Sequence, residues 1–368
     1  MRNIFNNSIA YYISAHGYGH GVRSCDIIRA LNLSFPYLDV QIISDLPAIF
    51  LSNRIGSIGN PIRPGSFDVG MVQIDSIRVD VDATLARVEQ LYSRRKELVA
   101  QELDYIRAMK FALVVVDIPA IPLESAALAG IPGIAVGNFG WDWIYSGFTA
   151  QDPRWTALVK IFQEQYGCAD LLLRLPFSEK MAAFNRIEDV PLVASPGTNL
   201  RSKIAAVSRC DPDKKWILIS FTTLGWDEDS LARVESIEEY EFFTVRPLEW
   251  KRRNIHPLDR DQVTFSDVVA SVDAVISKPG FGILSDCIAN NKPLIYADRS
   301  DFLEYAILDD AIKRYLKHIH IPSADLYRGE LRHCLESIWK CASPRETIGM
   351  GGDILAARRI AQMAGLQE

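Results

Sequence analysis

At 368 residues the chain is two to three times the size of an ordinary domain, so two domains of about 180 residues each are expected. Hydrophobic residues at 48% and charged residues at 23% exclude disorder as the main state and leave ample apolar surface for a core. Forty Lys and Arg against 46 Asp and Glu give a net charge of −6, which excludes a polycationic surface of the kind that binds nucleic acid non-specifically.

The N-terminus, Met1-Arg2-Asn3-Ile4-Phe5-Asn6-Asn7-Ser8, lacks the apolar segment and small-residue cleavage site of a secretory signal. Ile9 to Ala15 reads as a strand, Val22 to Asn32 as a helix and Val40 to Ser44 as a second strand. This alternation predicts a parallel sheet wrapped by helices. Leu46-Pro47-Ala48-Ile49-Phe50-Leu51 with Arg54 is the one candidate for peripheral membrane contact, and a core helix explains it more simply. Between Asp82 and Lys110 the spacing predicts one long amphipathic helix covering a face of the sheet. Phe111 to Asp117 is a β-branched run suited to a strand buried on both faces, ending in an acid, and Ile134-Ala135-Val136 reads as its parallel neighbour. The apolar window Ile118 to Gly137 contains Glu124 and three prolines, which argues against a transmembrane helix.

Two prolines and a glycine in Val190 to Asn199 predict the domain linker, giving domains of residues 1–195 and 196–368. Beyond it the alternation restarts, with strands at Trp216 to Phe221, Phe242 to Val245, Ala274 to Ser277 and Pro293 to Ala297, and helices from about Phe281 and Phe302. Asp353 to Gln367 reads as an amphipathic helix free to pack on either domain. Six cysteines at 25, 168, 210, 287, 334 and 341 form no C-x-x-C pair and read as reduced core thiols of a cytoplasmic protein.

Candidate sites fall where strands run into helices. Ser14-Ala15-His16-Gly17-Tyr18-Gly19-His20-Gly21 is a glycine-rich turn after the first strand, where backbone amides can approach an anion or polar group. The glycines do not follow the dinucleotide fingerprint G-x-G-x-x-G. His16 and His20 are four apart, but a metal pair has no third ligand nearby, so no metal is expected. The two histidines either hydrogen-bond the loop or supply a general base or phosphate donor, work that suits an imidazole. Asp117 and Glu124 are acids near the same edge, open to reading as buried, satisfied carboxylates or as bases. Asn138-Phe139-Gly140-Trp141-Asp142-Trp143-Ile144-Tyr145 is aromatic-dense, reading as core or as the wall of a sugar site. In the second half, Ser277-Lys278-Pro279-Gly280-Phe281-Gly282 repeats the strand, turn and helix start, with Ser285-Asp286 in the first two helical turns. Thr222 and Thr223 end another strand at the same edge.

Ala15-His16-Gly17-Tyr18-Gly19-His20-Gly21-Val22-Arg23, Val116-Asp117-Ile118-Pro119 with Asn138 to Tyr145, and Ser277 to Asp286 with Arg299-Ser300-Asp301-Phe302-Leu303-Glu304-Tyr305 together resemble a group of GT-B glycosyltransferase-like proteins. That group includes the N-terminal region of L-arabinokinase-type proteins and, more distantly, MurG, the peptidoglycan N-acetylglucosaminyltransferase. The resemblance spans about residues 9 to 315, in order. It implies an α/β protein of two Rossmann-like domains whose parallel sheets face across a cleft, with the acceptor against the first domain and the nucleotide-sugar donor against the second. The chain ends at Glu368 without a galactokinase-type domain, so the arabinokinase activity is not carried over.

By position, the resemblance implies donor contacts from Thr222, Thr223, Ser277, Lys278, Gly280, Gly282, Asp286, Arg299, Asp301 and Glu304. It implies acceptor or loop roles for Gly17, Tyr18, Gly19, Asn138, Trp141 and Asp142, and a general base among His20, His16, Asp117 and Glu124, with His20 first. Asp286 stands where MurG has Glu, and Lys278 stands in the phosphate-facing turn, where it can pair with a diphosphate. The expected activity is cytoplasmic, metal-independent, inverting glycosyl transfer from a UDP-sugar to an unknown acceptor, without cofactor or nucleic acid. Hydrolysis or epimerisation of a nucleotide-sugar, and nucleotide-sugar binding without turnover, are the alternatives. Acceptor and oligomeric state are left open.

Overall fold

The computed structural model describes residues 7–56, 59–75, 78–259, 263–298 and 303–366. The chain divides into two compact units, one of Met1–Val72, Asp80–Ala194 and Gly349–Glu368, the other of Gln73–Val79 and Ser195–Ile348.

The first unit runs β1 (Ser8–Ile13), α1 (Tyr18–Ser34), β2 (Asp39–Ile43), α2 (Ala48–Ile55), β3 (Ile62–Arg63), α3 (Val81–Ser93), α4 (Arg95–Met109), β4 (Leu113–Asp117), α5 (Ile121–Ala129), β5 (Gly133–Gly137), α6 (Trp141–Ser146), α7 (Arg154–Tyr166), β6 (Leu171–Arg174) and β7 (Ile187–Asp189). Its strands form one parallel sheet in the order β3-β2-β1-β4-β5-β6-β7. Every residue of β1, β4 and β5 is buried, as their uninterrupted apolar runs require. Strand order reverses between β1 and β4, and such a switch point opens a crevice beyond the carboxyl ends of the strands.

The single helix expected over 82–110 is two, α3 and α4, because Arg94 leaves helical geometry at φ −100°, ψ 9°. Asp80 caps α3 by accepting from the Ala83 N–H. The helix expected from Val22 starts at Tyr18, so part of the glycine-histidine run is itself the first turn of α1. Gly21 gives close packing there: a Cβ would sit 2.6 Å from the Leu46 Cδ1 and 2.7 Å from the Phe50 ring, so those side chains would have to shift. The Leu46 to Leu51 stretch accordingly contributes buried Leu46 and Leu51 to the core.

The second unit runs α8 (Arg201–Ser208), β8 (Lys215–Ser220), α9 (Glu228–Glu235), β9 (Tyr240–Val245), β10 (Ile255–Leu258), α10 (Phe265–Ser271), β11 (Ala274–Ser277), α11 (Phe281–Ala289), β12 (Leu294–Ala297), α12 (Glu304–Tyr315), β13 (His318–Ile321), α13 (Ser323–Tyr327) and α14 (Arg332–Ile338). Its parallel sheet has the order β10-β9-β8-β11-β12-β13, which places a second switch point between β8 and β11.

The final helix, α15 (Gly352–Met363), belongs to the first unit, where Ala356, Ala357, Ile360 and Ala361 join the core that includes α1. Arg359 on α15 pairs bidentately with Glu188 of β7, and Leu192 donates its N–H to Gly349 O. Within the Pro/Gly-rich stretch 190–199, Gly197 and Thr198 donate backbone N–H groups to Asn290 and Asp267, and Leu200 just beyond it donates to Ser271. All six cysteines are unpaired. Among the described residues no helix is long and apolar enough to cross a membrane.

Candidate functional site

Asp117 ends β4 and is completely buried. Its carboxylate accepts from His20 Nδ1 at 2.7 Å, Arg23 Nε at 2.7 Å, Arg23 Nη2 at 2.6 Å and Ser24 Oγ at 2.8 Å. The four donors come from the first two turns of α1, because residues three and four apart share a helix face. The Ser14 N–H donates to the Asp117 carbonyl at 2.7 Å and fixes the exit of β1 against the end of β4. Burial by itself raises the Asp117 carboxyl, but Arg23 and His20 and their hydrogen bonds outweigh it and hold the group well below the usual carboxylate range. An ionised Asp117 can only accept, so its 2.7 Å contact favours a proton on His20 Nδ1 and a lone pair on Nε2, although Arg23 Nη2, a donor only, also lies 3.0 Å from Nδ1.

Arg23 spans from Asp117 to Asn138, to whose Oδ1 it donates through Nη1, and Asn138 donates its amide to Pro176 O. The His20 ring stands edge-on to Phe139, with centroids 5.9 Å apart. His16 stands edge-on to Trp141 at 5.4 Å. Trp141, 1% exposed, donates its indole N–H to Asp68 Oδ2 at 2.9 Å and stacks on Tyr145. Trp141 and Tyr145 are therefore packed in the interior of the first unit. Asp142 on α6 is buried, and burial followed by the nearby Glu179 pushes its carboxyl up to about 6. At the other end of the turn Tyr18 is exposed and rests against Phe50, and a Cβ on Gly17 or Gly19 would meet open space.

The structure therefore brings His20, Asp117 and Asn138 together through Arg23, and a chain of edge-on rings, Phe139 and Trp141, runs from His20 to His16, while Asp142 faces Glu179 and Gln163. Glu124 is engaged elsewhere: Arg95 of α4 donates to it at 2.8 and 2.9 Å and Gln165 of α7 at 2.7 Å, so its carboxylate ties three helices. The sequence reading did not single out Arg23, Ser24 or Asp68 as functional. Arg23 and Ser24 carry a usable signal, their three- and four-residue spacing from His20. Asp68 lies in Pro64-Gly65-Ser66-Phe67-Asp68-Val69-Gly70, which has no motif.

In the second unit, Ser220 and Ser277 end the neighbouring strands β8 and β11 in register, and Ser277 Oγ donates to Ser220 O at 2.8 Å. Exposed Thr222 and Thr223 follow β8, and Lys278 follows β11. Gly280 is the N-cap of α11 and, having no side chain, makes no side-chain cap hydrogen bond itself. Gly282 lies in the first turn, while Asp286 is buried in the second and Glu304 is buried at the start of α12. Arg299 and Asp301, and the Phe302 start expected for the following helix, lie outside the described residues. A His320–Asp298 pair, also not anticipated, joins β13 to the end of β12. Among the described residues no group of three or more His, Cys, Asp or Glu side chains is placed to hold a metal ion.

Two Rossmann-like units with parallel sheets of this order define the GT-B fold of glycosyltransferases, and solved structures of that class match the whole chain. The glycotransferase of kitacinnamycin superposes with a TM-score of 0.61 at 14% identity, over 97% of this chain and 98% of its own. A UGT transferase from Siraitia grosvenorii in complex with UDP gives 0.57 at 10% identity over 98% and 100%. A putative UDP-N-acetylglucosamine 2-epimerase from Listeria monocytogenes also gives 0.57, at 14% identity over 97% and 96%. In sequence the chain is similar to L-arabinokinase of Arabidopsis thaliana, 28% identical over 362 residues. That match covers 94% of this chain and 33% of the plant protein, so the chain spans about a third of its relative's length. No family model matches.

Proposed function

We propose that this chain transfers a sugar from a nucleotide-sugar, UDP-linked, to an acceptor hydroxyl, with His20 as general base. The observation that carries the reading is the 2.7 Å contact of His20 Nδ1 with an ionised, buried Asp117 at a switch point, which favours the proton on Nδ1 and directs the Nε2 lone pair to the acceptor. His20 Nε2 takes the acceptor's proton as its oxygen bonds to the anomeric carbon, and the bond from that carbon to the donor phosphate breaks on the opposite face, inverting the centre. The departing diphosphate is assigned to Lys278 and the N-terminal turn of α11, whose positive charge and helix dipole suit an anion, so the scheme requires no metal. Thr222, Thr223 and Ser277 offer hydroxyls at the same edge, and Asp286 and Glu304 are assigned to donor hydroxyls. The UDP in the Siraitia grosvenorii structure supports the choice of donor through fold similarity.

The test is release of nucleoside diphosphate from a panel of nucleotide-sugars, with and without mixed hydroxylated acceptors, in wild type and His20→Ala. Acceptor-dependent release that falls by about 10²-fold or more in the variant supports the proposal. Donor loss that ignores acceptors favours hydrolysis or epimerisation, and release unchanged in His20→Ala removes the assigned base.

A further inference from the structure

Asn138 directly follows β5 and is 4% exposed, and both polar atoms of its side chain are engaged. Its Oδ1 accepts from Arg23 Nη1, and its Nδ2 donates to the carbonyl of Pro176. A guanidinium can only donate and a carbonyl can only accept, so the two partners fix which end of the amide is which. The other guanidinium nitrogens, Nε and Nη2, donate to Asp117. One planar group thus joins Asp117 to Asn138, and the amide of Asn138 carries the connection on to Pro176.

Pro176 opens the loop between β6 and β7, and this loop is tied to the strand end that bears Asn138 at three successive points. The Leu175 N–H donates to Gly137 O at 3.0 Å, the Asn138 amide donates to Pro176 O, and the Glu179 N–H donates to Asn138 O at 3.1 Å. Within the loop Phe177 and Met181 have left-handed backbones, at φ +62° and +56°. Residues with a Cβ rarely adopt that conformation, and two of them within five residues persist only where the surroundings dictate the path. Met181 is buried, whereas Pro176 and Phe177 are partly exposed at the carboxyl edge of the sheet, the edge at which His20 meets Asp117.

We infer that Asn138 is a positioning residue: acting through Arg23 on one side and the Pro176 carbonyl on the other, it holds the Pro176–Met181 loop in a fixed place relative to the His20–Asp117 pair, and that loop is the wall that orients the acceptor. The role toward the acceptor rests on the function proposed above, but the tie between the loop and Arg23 does not.

The experiment is amide hydrogen exchange on the intact chain, wild type against Asn138→Asp and Asn138→Ala. Asn138→Asp keeps an oxygen for Arg23 and loses the donor to Pro176, whereas Asn138→Ala loses both contacts. Exchange over residues 177–181, the Glu179 N–H above all, should rise about tenfold in both variants. Exchange in the part of α1 that carries His20, Arg23 and Ser24 should rise only in Asn138→Ala. Loop exchange that stays at the wild-type rate overturns the inference, and so does an equal rise in α3 and α4, which marks general destabilisation. Either variant tests the tether by itself should the other not fold. The acceptor role is read in the release assay with UDP-sugars and mixed hydroxylated acceptors. There Asn138→Asp should lower the apparent kcat/KM for acceptor about tenfold and leave the donor KM within about twofold. Equal losses for donor and acceptor overturn that role. Hydrogen exchange needs no turnover: absence of transfer in the wild type removes the proposed activity and the acceptor role with it, while the tether stands or falls on exchange alone.

Discussion

Replacing Asp142 by asparagine is expected to stabilise the first unit, and to do so only when the wild-type residue is ionised. Asp142 is 7% exposed, and burial, then the charge of Glu179, raises its carboxyl from 3.8 to about 6. Such a rise corresponds to about 3 kcal/mol of preference for the neutral form. That value is an upper bound, because the Trp143 N–H and Gln163 hydrogen bonds that favour the carboxylate are weakened in the amide. A gain of about 1 to 3 kcal/mol is expected, about 3 to 8 °C in Tm for a unit of this size. The sign follows from linkage. A folded-state value above the unfolded one gives stability that is complete below about pH 4 and is lost as pH rises through about 6. The variant should therefore exceed wild type fully at pH 8 and much less at pH 4.5, measured by thermal denaturation in matched buffers. Glu179→Gln should shrink the gain. Equal gains at both pH values, or none at pH 8, would refute the reasoning.

Asp117→Ala leaves Arg23 buried without its carboxylate, and should cost about 3 to 5 kcal/mol by chemical denaturation. Because the Asp117 carboxyl is held below its ordinary value, the stability it confers is present above about pH 4 and is given up as pH falls further, so acid unfolding of the wild type should steepen there. Gly70→Ala combines a left-handed backbone with a Cβ 1.9 Å from His16, and should lose about 2 to 4 kcal/mol together with most turnover. Glu124→Gln should leave turnover within about twofold and cost about 1 kcal/mol or less, since its partly exposed carboxylate serves helix packing.

Much of this arrangement was legible in the residues. The β-branched run ending in Asp117 and the glycine-histidine turn each carry a local signal, and parallel-sheet topology then brings their ends together. The strands not read from the sequence are all short: Ile62–Arg63 has two residues and Ile187–Asp189 three, while interior Leu171–Arg174 and the edge strands Ile255–Leu258 and His318–Ile321 have four each. Runs that short carry no periodicity. The break at Arg94 was hidden because apolar spacing continues on both sides of it. Glu124 shows the opposite failure, an acid at the expected edge whose partners, Arg95 and Gln165, lie 29 and 41 residues away. Asp68 could not be read at all, because Trp141, which holds its carboxylate, lies 73 residues away.

The most direct test of the central claim, that the second unit holds a nucleotide-sugar donor, is a thermal-shift screen against UDP, GDP, dTDP, CMP and their sugars, repeated with Asp286→Ala. A ligand that binds only the folded chain raises Tm once its concentration exceeds Kd. The account predicts stabilisation of the wild type by UDP and UDP-sugars, abolished by Asp286→Ala. Stabilisation by no nucleotide in the wild type would contradict it.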